Sequence, residues 1–169
     1  MKKIFKSLLQ FMLFISIASC SNQSATPPTD FQFYGISPEE LNTRVRVTAP
    51  SGLGNTYRNN SRLSLVVEVI SDDQIAFSKD YDARVYIYDH NMWIEIKNMM
   101  EYAEELEKGH ILSPIKSDPF NSGVISLWPL YPDIKQKLPM KIIISGHVYK
   151  DGQITSQITG GYINLTLNP

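Results

Sequence analysis

Beyond Phe31, apolar and polar side chains alternate with a period of two in short runs separated by Gly, Pro, Asn and Asp. Only an extended backbone puts every second side chain on one face, so this pattern demands strands and excludes a helical body. Thr43 to Ala49 places Val45 and Val47 on one face, with Arg44, Arg46 and Thr48 on the other. Leu63 to Ile70 is more apolar and reads as a central strand, with Leu63, Leu65, Val67 and Val69 sharing a face. Val85 to Tyr88 and Trp93 to Ile96 flank the polar loop Asp89 to Met92, which suits a hairpin. Pairing Tyr88 with Trp93 then gathers Val85, Ile87, Ile94 and Ile96 on one face, and Tyr86, Tyr88, Trp93 and Glu95 on the other.

Strand character returns in Gly123 to Leu127, Met140 to Tyr149, Gln153 to Thr159 and Tyr162 to Leu167. Asp151-Gly152 supplies a two-residue hairpin turn. Pro129, Pro132 and Pro139 confine Trp128 to Leu138 to a loop or an edge. One stretch breaks the pattern: from Asn98 to Gly109, Met99, Tyr102, Ala103 and Leu106 recur at helical spacing while Glu101, Glu104, Glu105 and Glu107 point elsewhere. This predicts a short amphipathic helix capped by Asn98 and stopped by Gly109. The expected fold is therefore all-β, an antiparallel β-sandwich of seven to nine strands with that one helix. It resembles the immunoglobulin-like architecture, without the cysteine pair of antibody domains. Residues 31–169 form this single domain, long enough for one core.

The start of the chain is of another kind. Lys2, Lys3 and Lys6 precede an apolar run from Leu8 to Ile17, broken only by Gln10 and Ser16. That layout is a secretory signal, shorter than the roughly 18 apolar residues a bilayer-spanning helix needs. Ile17-Ala18-Ser19-Cys20 resembles the lipobox of bacterial lipoproteins, in which small residues precede a cysteine that is acylated and becomes the first residue. Cys20 is the only cysteine in the chain. The resemblance implies a signal peptide over 1–19, lipidation at Cys20, and attachment to a membrane of the cell envelope, outside the cytoplasm, through acyl chains. Residues 20–30, with Pro27-Pro28, are the expected tether. Ser21, rather than Asp, follows the cysteine, which by analogy with lipoprotein sorting leaves the outer membrane open.

Removing the three leader lysines from 16 basic residues leaves 13 against 17 acidic ones, a net charge of −4. A mildly acidic body has no general attraction to nucleic acid, and no nucleic-acid partner is expected. Phosphate-loop, dinucleotide, zinc-protease and serine-hydrolase motifs are absent from the sequence. His90, His110 and His147 are scattered, so neither a metal site nor any other cofactor is expected. Asp72-Asp73 and Asp80-Tyr81-Asp82 lack a calcium-loop pattern and read as turns.

No catalytic residue is assigned. The candidate binding face consists of Tyr86, Tyr88 and Trp93, flanked by Arg84, Glu95 and Lys97, with Trp128 in a second aromatic cluster. Its alternative role is as the covered second side of a sheet, beneath the helix or the proline-rich loop. The function expected is that of a non-enzymatic envelope lipoprotein binding or scaffolding an envelope protein, with a glycan as second partner. A carbohydrate-binding or peptidase-inhibitor-like module is the alternative.

Overall fold

The computed structural model describes residues 35–50, 54–100 and 109–169. The expected signal segment, Cys20 and the tether lie outside the described residues. The described chain is all-β and runs through eleven strands. They are β1 (Val45–Thr48), β2 (Thr56–Arg58), β3 (Leu63–Val69), β4 (Gln74–Phe77), β5 (Arg84–Asp89), β6 (Met92–Glu95), β7 (Lys97–Met100), β8 (His110–Leu112), β9 (Ser122–Leu130), β10 (Leu138–Lys150) and β11 (Gln153–Asn168).

A four-stranded sheet has the order β1-β3-β9-β7. A seven-stranded sheet is organised around β10. One edge of β10 pairs with β11 for most of its length, while its other edge pairs with β5 at Met140 to Ile143 and with β4 at His147 to Tyr149. β6, β8 and β2 then add to β5, β4 and β11.

The two sheets share one core. Leu63, Leu65, Val67 and Val69 of β3, with Ile125 and Leu127 of β9, meet Ile75, Ile87, Met140, Ile142, Ile144 and Leu167 of the larger sheet. β3 alternates between buried and half-buried along its whole length, as an interior strand with one face in the core must. Tyr81, in the loop after β4, reaches across this core to β9. A Cβ at Gly123 would lie 2.8 Å from its ring carbon Cζ, so only glycine leaves the ring its place.

The hairpin register expected from the alternating faces is present: Tyr88 pairs with Trp93 and Tyr86 with Glu95. The turn is tighter than the four residues expected. Asp89 pairs with Met92, leaving His90 and Asn91 at φ 49 and 61 in the left-handed region that such a two-residue turn requires. Asp151 and Gly152 form the second such turn, at φ 53 and 80.

Four expectations are corrected. Among the described residues there are eleven strands rather than seven to nine, because β2 and β8 are too short for alternation to reveal them and β7 fits a helical spacing as well. The pairing is not wholly antiparallel, since β2 runs parallel to β11.

The expected helix does not begin at Asn98. Lys97–Met100 is β7, with Met99 opposite Trp128 and Asn98 opposite Pro129. β7 follows β6 after the single residue Ile96, so the extended chain passes from one sheet to the other and strand pairing overrides the helical spacing. Residues 101–108, the rest of that expected helix, lie outside the described residues.

Finally, of the loop or edge expected from Trp128 on, Trp128, Pro129 and Leu130 take the edge: they are the end of β9 and not a loop. The Pro129 carbonyl accepts from the Asn60 N–H at 2.8 Å, so the backbone of Pro129 faces the side where β3 has not yet begun. Its missing N–H costs the β7 ladder nothing. The Asn59 side chain extends that edge, accepting from the Tyr131 N–H and donating to the Tyr131 carbonyl, both at 2.9 Å.

Candidate functional site on the outer face of the large sheet

Alternation along β10 sends Met140, Ile142 and Ile144 inward, and Lys141, Ile143, Ser145 and His147 to the opposite face. The register sets Tyr162 beside Ile143 and Ile158 beside His147 on β11, with Tyr86 beside Lys141 on β5. β6 then contributes Glu95 beside Tyr86 and Trp93 beside Tyr88. Three of the four aromatic candidates are thus brought together. Tyr86 and Tyr88 are buried and Trp93 is half-buried, with Trp93 packed edge-on to Tyr88 at 5.4 Å between ring centres.

The fourth, Trp128, lies in the other sheet, half-buried beneath the Arg62 guanidinium at 5.6 Å. Arg62 also donates to the Ser126 hydroxyl at 3.0 Å.

Lys141, which the sequence reading passed over, is the centre of the aromatic group. Its ammonium lies 4.6 Å from the centre of the Tyr162 ring and 5.3 Å from that of Trp93, and the residue is only 7% exposed. Burial pushes the Lys141 amine below the ordinary lysine range. The two rings oppose that effect by attracting the cation. The signal available in the sequence was a single cation inside the apolar run Met140 to Ile144. Around it, the Tyr86 hydroxyl donates to Glu95 at 3.2 Å, and Arg84 lies 3.7 Å from Glu95 and 3.8 Å from Asp82.

Among the described residues, this face is covered by a turn ahead of β1. Ile36 and Leu41, 4% and 6% exposed, pack with Tyr86 and Ile143, with Trp93 and Tyr162 at the rim. Gly160 lies under this cover: a Cβ there would collide with the Ile144 backbone carbonyl and would also crowd Ile36 Cδ1 at 3.1 Å.

The same face ends in an open hollow of about 350 Å³ lined by Ser78, Asp80, Asp82, Ser145, Gly146, His147 and Ile158. Ser145 donates to Asp82 at 2.7 Å. His147 Nδ1 lies 3.1 Å from the Thr155 carbonyl, an acceptor, so Nδ1 carries the proton of this contact. Burial works to raise the Asp80 carboxyl, yet the Ser78 hydroxyl, backbone N–H groups and nearby Lys79 together hold it below the usual carboxylate range. The lining therefore favours groups that donate hydrogen bonds.

Asp72 pairs with Lys116 at 3.2 Å, and Asp73 with Arg44. Among the described residues, no three metal-ligating side chains converge. No helix there is long and apolar enough to cross a membrane.

No family model matches the chain, and no curated protein does. Among solved structures it is similar to one described as "AvmM Catalyzes Macrocyclization in Alchivemycin A Biosynthesis", at 12% identity over 85% of this chain and 97% of that one. The TM-score is 0.32, and at that value the likeness bears on neither architecture nor activity.

Proposed function

We propose that this chain is a lipid-anchored lipoprotein of the cell envelope, whose immunoglobulin-like β-sandwich binds or scaffolds an envelope protein outside the cytoplasm without catalysing a reaction. The observation that carries the reading is the leader: three lysines, an apolar run and Ile17-Ala18-Ser19-Cys20, ending on the chain's one cysteine. The domain adds a face of the kind protein partners use, with Trp93 and Tyr162 against the Lys141 cation, Tyr86 beside it and Tyr88 packed on Trp93. Glycan binding is a second reading, favoured by the hollow at Asp80, Asp82, Ser145 and His147, whose acceptors suit sugar hydroxyls.

The test is labelling of the full chain in a bacterial host with a clickable palmitate analogue, beside Cys20→Ser. Label and membrane association that both vanish in Cys20→Ser are expected. Equal labelling of the two, or no label on either, overturns the anchor.

A further inference from the structure

We infer that the hollow between the Ser78 to Asp82 loop, β10 and β11 is a binding site for an organic cation, an ammonium or guanidinium group on a short carbon stem. Such a site goes beyond the protein and glycan readings above and is independent of the anchor at Cys20; a glycan would use it only by carrying an amine.

The hollow exists because β10 changes partner along one edge. β5 pairs with Met140 to Ile143 and β4 with His147 to Tyr149, so the stretch between them has no strand beside it on that edge. The loop joining β4 to β5 closes the gap instead. The Ser145 N–H donates to the Tyr81 carbonyl at 3.1 Å, and the Ser145 hydroxyl to Asp82 at 2.7 Å. Ser145 is only 8% exposed, so Asp82 is held by a hydroxyl that is itself fixed in the sheet. Asp80 is fixed within the loop, its Oδ1 accepting from the Ser78 hydroxyl at 2.6 Å and from the Asp82 N–H at 3.2 Å. Two oriented carboxylates are thus in place before any ligand arrives, which spares binding the cost of ordering them.

The lining defines the chemistry. It holds two carboxylates, Asp80 and Asp82, and no lysine or arginine. Arg84 lies 3.8 Å from Asp82, beyond hydrogen-bond reach, and 3.7 Å from Glu95, so its charge is shared between them. Ser78 and Ser145 donate their protons to those same carboxylates, so the lining has mainly acceptors left to offer. A neutral sugar hydroxyl brings an acceptor with every donor, and half of that capacity would go unmet here. An ammonium or guanidinium brings donors alone, together with the charge that two carboxylates attract. Ile158, 37% exposed, stands at the wall, where it can pack against the carbon stem. A volume of about 350 Å³ suits one group of side-chain or single-sugar size.

NMR titration of the isotope-labelled full chain at neutral pH tests this with two charged probes and their neutral twins. They are the amide of Nα-acetyl-lysine beside its Nε-acetylated form, and glucosamine beside N-acetylglucosamine. Saturable shifts at the amides of residues 78–82 and 145–147 are expected with at least one charged probe. Its neutral twin is expected to bind about tenfold more weakly, the least that a lost charge-assisted hydrogen bond costs. The pair that responds names the source: the lysine pair a basic side chain of a protein partner, the glucosamine pair an amine-bearing glycan. No saturable shift with either charged probe, or equal affinity within each pair, overturns the inference.

The double variant Asp80→Asn, Asp82→Asn keeps the shape of the lining and removes its charge, and a further loss of about tenfold is expected. A folded double variant that binds the charged probe as tightly as wild type also overturns the inference. Should the variant release Ser145 and unfold the loop, the charged and neutral probes on the wild-type chain still decide. Neither measurement depends on acylation of Cys20. Unshifted amides on a chain that takes the palmitate label reject the site and keep the anchor.

Discussion

Ile142 and Ile143 are neighbours in β10, 0% and 2% exposed, and they belong to different structures. Ile142 points between the sheets into a continuous cluster of mostly aliphatic side chains from nearly every strand. Ile143 points the other way, into a small cluster of Ile36, Leu41 and Tyr86 with Trp93 and Tyr162 at its rim. Equal burial does not mean equal structural weight. The inner cluster is closed by a second hydrogen-bonded sheet, whereas the outer one is closed by a seven-residue turn of the same chain. The inner side joins the two sheets; the outer side joins one turn to the larger sheet.

Truncation at the two positions is the most direct way to break this contrast. Ile142→Ala is expected to cost about 3–5 kcal/mol in denaturant unfolding, in a single cooperative transition. Ile143→Ala is expected to cost about 2 kcal/mol, with hydrogen exchange accelerated mainly at Asn42 and Tyr162. Equal costs, with exchange accelerated throughout, would merge the two clusters into one.

Lys141→Met sharpens the comparison from the outer side. The buried amine has its pKa lowered on folding, so between its folded value and the ordinary lysine value the unfolded chain binds the extra proton and stability rises with pH. Below the folded value the cost of the charge is fully present. Methionine at 141 should therefore stabilise the chain by on the order of 1 kcal/mol at pH 7, with the gain shrinking as pH climbs toward the lysine range. A destabilised variant at pH 7 would make the interactions of the cation, its ring contacts among them, the larger effect.

The smallest expected effect is at the matching inner base, His110. Its ring stacks on Tyr81 at 5.1 Å, its Nε2 is buried with no hydrogen-bond partner among the described residues, and burial lowers its pKa. Below pH 6.5 the unfolded state takes a proton that the folded state refuses, so stability falls as the solution is acidified toward the folded value. His110→Phe keeps a ring against Tyr81 and should lose less stability than wild type between pH 7 and pH 5, measured by denaturant midpoint. Identical acid profiles would place the pH sensitivity elsewhere.

The inner side was largely legible in the sequence and the outer side only in part, for physical reasons. Pairing Tyr88 with Trp93 followed from alternation, because shifting the register by one would bury Glu95 in place of Ile94. The Asp151-Gly152 turn followed from the ease with which both residues adopt positive φ. β7 was hidden because Met99 and its neighbours fit a helical face as well as a strand, and only the distant partner Trp128 decides between them. The covering turn was hidden because Ile36 and Leu41 are isolated in a polar stretch and gain meaning only against Ile143 and Tyr162, more than a hundred residues on. Lys141 was visible as an anomaly, but what surrounds it comes from β6 and β11, which no local pattern links.

The irregularity near the tip of the β10–β11 hairpin has a consequence for how these molecules tolerate crowding. Tyr149 pairs with Ile154 and His147 with Ile158, so Thr155 to Gln157 bulge opposite the single residue Val148. From Gln153 to Pro169 the chain carries no charge at all, and Ile154 and Ile158 are exposed. A straight, uncharged strand of that composition would template a neighbour's strand and start a fibril. Here the Thr155 hydroxyl donates back to the Val148 carbonyl at 2.8 Å, and the Gln157 N–H turns to that hydroxyl at 3.3 Å. The bulge bends β11 there and keeps its open edge from running straight, the work that lysines or prolines do on other exposed strands.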